Sequence, residues 1–248
     1  MRTLLEANPH GGLSIWSPPI KGRQYAVGVD TSSGIRNAKT KNIDKEGDPS
    51  AACVIDMETC EQVAEWEGYV IPVLWGFAVA RLARYYNDAP LAIETQPSPH
   101  GLAAYNAAER YGYANLWISQ KVDLMTGGVS ERKGWTRAQG STEHLFNRVR
   151  EALHAEYLIR SERLLDQMAA CFQAEAKIKS TDHDDCLVAY GIALMVRDQA
   201  YIQGQVKPQL PPPRDLAEAY WRSQAERYAS ADQPKPIPDD SNDCWNGV

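Results

Sequence analysis

The chain has few cysteines, and no arrangement of them suggests a bound metal. The five cysteines are odd in number and scattered, and no two form a C-x-x-C pair. That pattern is typical of reduced thiols in a cytosolic protein, rather than of a disulfide framework or a zinc site. No apolar segment has the length or context of a signal peptide or a membrane span. The sequence therefore predicts a soluble protein without a membrane partner.

Positive charge is also scarce, because the formal net charge is -6. Proteins that bind DNA tightly by themselves are usually basic, since neutralising phosphates supplies much of the affinity. A DNA-binding role would therefore need a local basic surface, metal ions or partner modules. The chain also lacks a G-x-x-x-x-G-K-[ST] phosphate loop, so ATP hydrolysis by that route is not expected.

The length and hydrophobic content of the chain are typical of one globular domain. The 248 residues, 44% of them hydrophobic, suffice for one substantial core. We expect a linker-like N-terminal extension over residues 1–23, a single domain over residues 24–200, and a Pro-rich, largely disordered extension over residues 201–248.

Hydrophobic patterning predicts five strands with helices on both faces of a mixed sheet. Apolar runs and turn residues place three antiparallel strands at 25–30, 50–55 and 62–68, a fourth ending at Glu94, and a short fifth at 116–118. Helical spacing predicts helices at 73–86, 101–112, 141–152 and 161–174, and another after Asp185. The helix at 73–86 acts as a crossover, so the first and fourth strands run parallel and their ends lie side by side.

Two of the predicted strands end on a carboxylate. The run Tyr25-Ala26-Val27-Gly28-Val29 stops at Asp30, and Leu91-Ala92-Ile93 stops at Glu94. An acid there is costly to bury unless a cation or several donors face it. Taken singly, Asp30 could equally accept hydrogen bonds within the following turn, and Glu94 could pair with a surface lysine.

A third acidic site opens the last helix. Asp182, His183, Asp184 and Asp185 come directly before a strongly apolar run that begins at Cys186. Acids at a helix start cap free N–H groups and suit the helix dipole, so capping is the favoured explanation when this cluster is considered by itself. Capping does not explain three acids and a histidine before a helix apolar enough to be buried.

Together these acids have the layout of a two-metal phosphodiester nuclease. Two divalent cations need several converging carboxylates, one cation serving the attacking water and the other the leaving oxygen. Magnesium and manganese prefer oxygen ligands, whereas zinc favours cysteine or histidine. Strand ends and a helix terminus can supply such convergence from rigid elements.

The same residues resemble a known family. The order Tyr25–Asp30, Gly47-Asp48-Pro49-Ser50-Ala51, Ile93-Glu94-Thr95 and His183–Val188 is similar to the C-terminal nuclease domain of the large terminase subunit of tailed bacteriophages, a ribonuclease H-like domain. Two departures are that Gln96 stands where the family often has Asn, and that the family's N-terminal ATPase is missing. Residues 1–20 resemble the linker after that ATPase, which suggests an excised domain or a divided gene.

The resemblance implies a function and a set of site residues. Asp30, Glu94 and Asp185 would be the core ligands of two Mg2+ or Mn2+ ions, with Asp182 or Asp184 assisting. Asp184 also competes with Asp185 for the role of core ligand. His183 would orient a carboxylate or cap the helix. The activity would be endonucleolytic cleavage of double-stranded, concatemeric viral DNA during packaging, in the cytoplasm of the infected host. Expected partners are the terminase ATPase domain, the small terminase subunit and the portal. Basic residues near the site that could contact DNA, or be ordinary solvated side chains, are Lys39, Lys41, Arg132, Lys133, Lys177 and Lys179.

Two other interpretations stay open at the level of sequence. A catalytically silent module that docks on DNA or the portal would have the same fold without the chemistry. An actin-like phosphotransferase fragment is suggested by Asp30-Thr31-Ser32-Ser33-Gly34, which also resembles that superfamily's phosphate-binding turn. Those enzymes need a second domain and a second phosphate loop, for which the chain has neither the length nor a candidate.

Overall fold

The structure is a computed structural model that describes residues 12–35, 48–122, 128–137, 139–173 and 184–202. All of these residues belong to one compact unit that spans residues 1–209. A second unit, residues 210–248, lies outside the described residues. The domain boundaries and the disorder expected beyond residue 200 therefore stay predictions.

The described chain begins with four strands and ends with three helices, with a mixed segment of strands and helices between them. The elements are β1 (Leu13–Ile15), β2 (Tyr25–Asp30), β3 (Ser50–Asp56), β4 (Gln62–Gly68), α1 (Pro72–Tyr85), β5 (Leu91–Gln96), α2 (Pro99–Arg110), β6 (Ile118–Val122), β7 (Val129–Lys133), β8 (Trp135–Thr136), α3 (Gln139–His154), α4 (Glu162–Gln173) and α5 (Asp185–Ile202). Both α1 and α2 begin on a proline, which is favoured there because the first helical N–H needs no partner.

Within the described residues the main sheet has six strands in the order β1-β4-β3-β2-β5-β8. Strands β1 to β4 pair antiparallel, whereas β2 pairs parallel with β5 and β5 parallel with β8. Helices cover both faces, so the mixed α/β architecture predicted from the sequence is confirmed. The parallel return of β5 beside β2 follows from the crossover through α1.

The count of strands differs from the five predicted. Strand β1, within the N-terminal extension, adds an edge beside β4. In the segment predicted as the fifth strand, Leu116 makes an isolated bridge to Leu91, and Ile118 already belongs to β6, which forms a separate two-stranded ribbon with β7. Strand β8 takes the place beside β5, because Gly134, at a φ of 70°, lets the chain pass close to the Ile93 carbonyl.

Two hydrophobic layers enclose the sheet. One lies under α1 and α2 and includes Val29, Ile93 and Trp75, and the other lies under α3, α4 and α5 and includes Cys53, Leu145 and Leu187. Since both faces of β2 are covered, its sequence is apolar throughout instead of alternating with polar residues.

Among the described residues, those of α5 are nearly all buried from Asp185 to Val196, apart from the half-buried Met195. The helix crosses β2 at Gly28, where an added Cβ would lie 2.1 Å from the Ala189 carbonyl oxygen and 2.5 Å from the Ala193 nitrogen. That contact places the N-terminus of α5 at the end of the sheet where β2 and β5 finish. None of the described helices is both long and apolar enough to cross a membrane.

Candidate active site

The carboxylates of Asp30 and Glu94 lie together at one edge of the sheet. Strands β2 and β5 run parallel with Val29 aligned to Ile93, so the next residues of both strands fall side by side. Val29 and Ile93 face α1 and α2, and alternation therefore turns Asp30 and Glu94 toward α5. Their side chains are 15% and 6% exposed, and the two carboxyl groups lie close enough to influence each other's pKa.

The start of α5 brings two more acids to this edge. Asp184 is the N-cap, because its carbonyl accepts the backbone N–H of Val188 at 2.9 Å, and Asp185 is the first helical residue. Asp185 acts electrostatically on Asp30, whereas Asp184 acts on Glu94. Both acids therefore face the pair, and the structure does not reduce the cluster to one of them.

Burial and mutual repulsion raise the pKa of these carboxyls. Burial, followed by repulsion from Glu94 and Asp185, holds the pKa of Asp30 well above its usual range. Burial raises the pKa of Asp185 to about 8, with repulsion from Asp48 and Asp184 adding to it. Burial also raises the pKa of Glu94, although a neighbouring guanidinium opposes the rise. Perturbed acids in one place are typical of functional sites.

That guanidinium belongs to Arg137, which sequence reasoning did not select. Its Nε lies 2.6 Å from Glu94 Oε1, and a terminal nitrogen lies 3.2 Å from Oε2. The same group is 3.8 Å from Asp30 Oδ2. Arg137 comes directly after β8, where Trp135 is aligned with Glu94, so the alternation of the strand puts it on the acidic face. No local pattern in the sequence indicates this contact, because 43 residues separate the partners.

Two further acids lie near Asp185. Asp48, just before β3, and Glu67, near the end of β4, both repel its carboxylate. Glu67 pairs with Arg163 of α4 and shares a row across the sheet with Ala51 and Asp30. The register of the three-stranded meander places Glu67 at this edge.

Short hydrogen bonds hold the loops around the acids. After Asp30 the backbone N–H of Ser32 donates to Ser50 Oγ at 3.1 Å, which fixes the turn against β3. After Glu94 the hydroxyl of Thr95 donates to the Lys133 carbonyl at 2.7 Å, which ties β5 to the chain entering β8. The acids are thus carried by rigid elements rather than by loops.

Two of the six predicted DNA-contacting residues belong to the described part of the chain. Arg132 is exposed on β7. Lys133 pairs with Glu109 of α2 at 2.7 Å, and both side chains are about half exposed. The other four predicted DNA-contacting residues lie outside the described residues; these four are Lys39, Lys41, Lys177 and Lys179. Asp182 and His183, predicted to assist at the metal site, also lie outside them.

A cavity of about 350 Å3 lies apart from the acids. It is bounded by the β6–β7 ribbon, β8 and α5, and its wall includes Trp117, Trp135 and Met195. None of the predicted acids lines it. The carboxylates of Asp30, Glu94 and Asp185 therefore lie at the edge of the sheet and outside this cavity.

The donors present suit a hard divalent cation. In the described ranges, no group of three or more His, Cys, Asp or Glu side chains is gathered closely enough to hold a metal ion. However, Asp185 Oδ2 is buried and has no hydrogen-bond partner among the described residues, which is costly for a carboxylate. Carboxylate oxygens are also the ligands that magnesium and manganese prefer. The chemistry of these side chains therefore suits such an ion. In this structure Arg137 contacts both carboxylate oxygens of Glu94.

Comparison with known proteins bears on the fold. No protein-family model matches the sequence, and no curated protein matches it. Among solved structures, the large terminase nuclease of thermophilic phage G20c aligns in forms with bound zinc, cobalt and magnesium. The alignments cover 77% of this chain and 91–92% of the other, at 12–13% identity and a TM-score of 0.52.

At that identity the likeness establishes the fold. The chain has the ribonuclease H-like fold of phage large terminase nuclease domains, as the resemblance of its motifs predicted. Fold alone does not assign chemistry, which has to be argued from the site.

Proposed function

We propose that the chain is a metal-dependent endonuclease that cleaves double-stranded, concatemeric viral DNA during phage genome packaging. The observation that carries the proposal is the convergence of Asp30, Glu94 and the Asp184-Asp185 pair at one sheet edge, from β2, β5 and α5. Buried acids in contact with one another are unfavourable for stability, so their presence calls for a cation as partner.

The residues take distinct roles in this proposal. Asp30, at the centre of the cluster, would bind both of two Mg2+ or Mn2+ ions. Glu94 and Asp185 would each complete the coordination of one ion, with Asp184 or Asp182 assisting. The chemistry that such bound ions supply is activation of the attacking water and stabilisation of the leaving oxygen. The rigid elements that carry the acids would hold this arrangement in place.

The structural neighbours support the proposal at a coarser level. They are nucleases by name, and their structures contain zinc, cobalt or magnesium, which supports the use of a divalent cation here. The same names support a role with terminase partners, for which we propose the ATPase domain, the small terminase subunit and the portal. The alternative is a catalytically silent docking module, with which the lack of a gathered metal cluster in the described residues agrees.

Plasmid cleavage tests the proposal. Supercoiled plasmid is incubated with the purified chain in magnesium, in manganese or in chelator, and nicked and linear products are measured. The variants are Asp30→Asn and Asp185→Asn, and the control is Asp166→Asn, which changes an exposed aspartate on α4. We expect metal-dependent cleavage by the parent and the control and none by the two folded site variants.

The opposite results are equally informative. Cleavage that survives Asp30→Asn and Asp185→Asn would reject the assigned ligands. An absence of cleavage in every metal, repeated with the terminase ATPase domain added, would favour the docking module.

A further inference from the structure

The ion pair between Arg137 and Glu94 has a consequence for metal binding. We propose that Arg137 is a resident cation of the acidic site, which occupies Glu94 and Asp30 until a divalent cation displaces it, so that the site is closed in the absence of metal. The inference deepens the proposed function and rests on it, because it concerns the same carboxylates.

The geometry of the contact leaves Glu94 without a free oxygen. Arg137 contacts one carboxylate oxygen at 2.6 Å and the other at 3.2 Å. This two-point pairing is the strongest geometry available to an arginine and a carboxylate. The Glu94 side chain is only 6% exposed, so a cation has little other surface of it to contact.

Because both are positively charged, Arg137 and a divalent cation cannot occupy Glu94 and Asp30 at the same time. A guanidinium stays protonated at all ordinary pH values, so Arg137 cannot become neutral to make room for an ion. Asp30 Oδ2 is 3.8 Å from the same guanidinium, so an ion held by both carboxylates would lie against a positive charge. At such separations in a partly buried site this repulsion is large. A divalent cation therefore binds Glu94 only as Arg137 leaves.

The Arg137 side chain can move away from the carboxylates without local unfolding of the main chain. Its backbone N–H donates to the Gln96 carbonyl at 3.2 Å, which anchors the main chain to β5. Its side chain is 29% exposed, so the guanidinium has a route to solvent that Glu94 lacks. Rotation about side-chain bonds alone would move the charge from the carboxylates to the mouth of the site, where a DNA phosphate could accept it.

Calorimetric titration with Mn2+ tests the inference without any nuclease assay. Removing the competing charge in Arg137→Gln should tighten Mn2+ binding by about tenfold or more, the ratio that corresponds to ~1.4 kcal/mol of coupling. The matched control is Arg23→Gln. Arg23 pairs with buried Asp56 at 2.7 Å, and the exposures of the two side chains, 31% and 5%, nearly equal those of Arg137 and Glu94. This control should bind Mn2+ as the parent does.

The outcomes separate the two claims. Unchanged or weaker binding by folded Arg137→Gln, with a parent that binds Mn2+, overturns the inference and leaves the proposed function standing. Binding by neither protein overturns both. Tighter binding by both Arg137→Gln and Arg23→Gln overturns the inference as well, since a general loosening of the fold would then be the cause.

A second measurement uses the natural sequence and does not depend on a variant folding. The arginine Nε–H resonances are followed by nitrogen-15 NMR during titration with Mg2+. The Arg137 signal should move as its bond to Glu94 is lost, whereas the Arg23 signal should stay in place. An Arg137 signal that does not change while Mg2+ binds overturns the inference.

Discussion

The carbonyl oxygen of Ala189 lies 2.1 Å from the point where a Cβ on Gly28 would stand. The nearest obstacles are backbone atoms of α5, which cannot rotate away as a side chain could. We expect Gly28→Ala to destabilise the fold by about 3 kcal/mol, at the upper end of overpacking costs, because α5 must move off β2. Chemical denaturation measures the loss.

A second glycine provides the control for that change. Gly68→Ala, at the end of β4, would place its Cβ no closer than 3.6 Å to the nearest atom, the Val70 side chain. Its free energy of unfolding should change little. Equal losses in the two variants would show that a general effect of alanine, and not the approach of α5, is responsible.

Asp185→Asn should stabilise the chain when metal is absent. The Oδ2 atom of Asp185 is buried without a hydrogen-bond partner among the described residues, and its neighbours Asp48 and Asp184 are also acidic. Since its pKa rises to about 8 on folding, the parent carboxyl must take up a proton at neutral pH, a cost that a neutral amide avoids. The free energy of unfolding in chelator at pH 8 should therefore rise by about 1–3 kcal/mol. Loss of stability instead would mean that the carboxylate is well paired within the protein.

Divalent cations should raise the melting temperature of the parent chain. An ion that binds the folded state alone stabilises it by RT ln(1 + [L]/Kd), about 2.7 kcal/mol at one hundred times Kd. Thermal melts in chelator and in millimolar magnesium or manganese measure the shift, and Asp30→Asn should show much less of it. An identical melting temperature with and without both metals would count against a well-formed site.

The stability of the fold should also depend on Glu65, a buried acid of β4 that pairs with Arg163. Burial raises the pKa of Glu65 above its ordinary 4.5, although Ser161, Arg163 and Gln62 oppose the rise. An acid whose pKa is raised on folding stabilises fully below its unfolded pKa, and that contribution is lost as pH rises through the folded value.

Glu65→Gln removes this titration while keeping an oxygen for the Ser161 hydroxyl, which donates to Glu65 at 2.8 Å. Its stability relative to the parent should therefore increase as pH rises from about 4.5 to 7. Urea unfolding at several pH values in chelator gives the two curves. Parallel curves would show that Glu65 does not titrate differently on folding.

Arg132 and Lys133 should differ in their effect on DNA binding. Arg132 is exposed, whereas Lys133 already pairs with Glu109 at 2.7 Å. If Arg132 contacts a phosphate, Arg132→Ala lowers the slope of log affinity against log salt by about 1. Lys133→Ala should change the slope less. DNA binding is measured over a series of salt concentrations, with both substitutions made in the catalytically inactive Asp30→Asn background. A larger effect of Lys133→Ala would show that Lys133, and not Arg132, contacts the phosphate.

Asp30 was correctly predicted as the last residue of its strand, whereas β5 continues two residues beyond Glu94, to Gln96. The signals behind both predictions are local. An apolar run that stops at Asp30 or Glu94 identifies a strand and its end within a few residues, and the helix after Asp185 is equally clear. The crossover between them then requires the two strand ends to meet. The roles of these residues as metal ligands stay a prediction.

What the sequence alone determined is the order of β2 to β5 and of the helices, the mixed sheet and the edge where the acids gather, since these follow from hydrophobic periodicity and chain connectivity. Tertiary structure alone decided that Arg137 pairs with Glu94, that β8 pairs with β5 beyond the isolated bridge of Leu116, and that Asp48 and Glu67 lie near Asp185. These contacts join residues far apart in the chain. Their partners are chosen by register and packing across the sheet, which no short stretch of sequence contains.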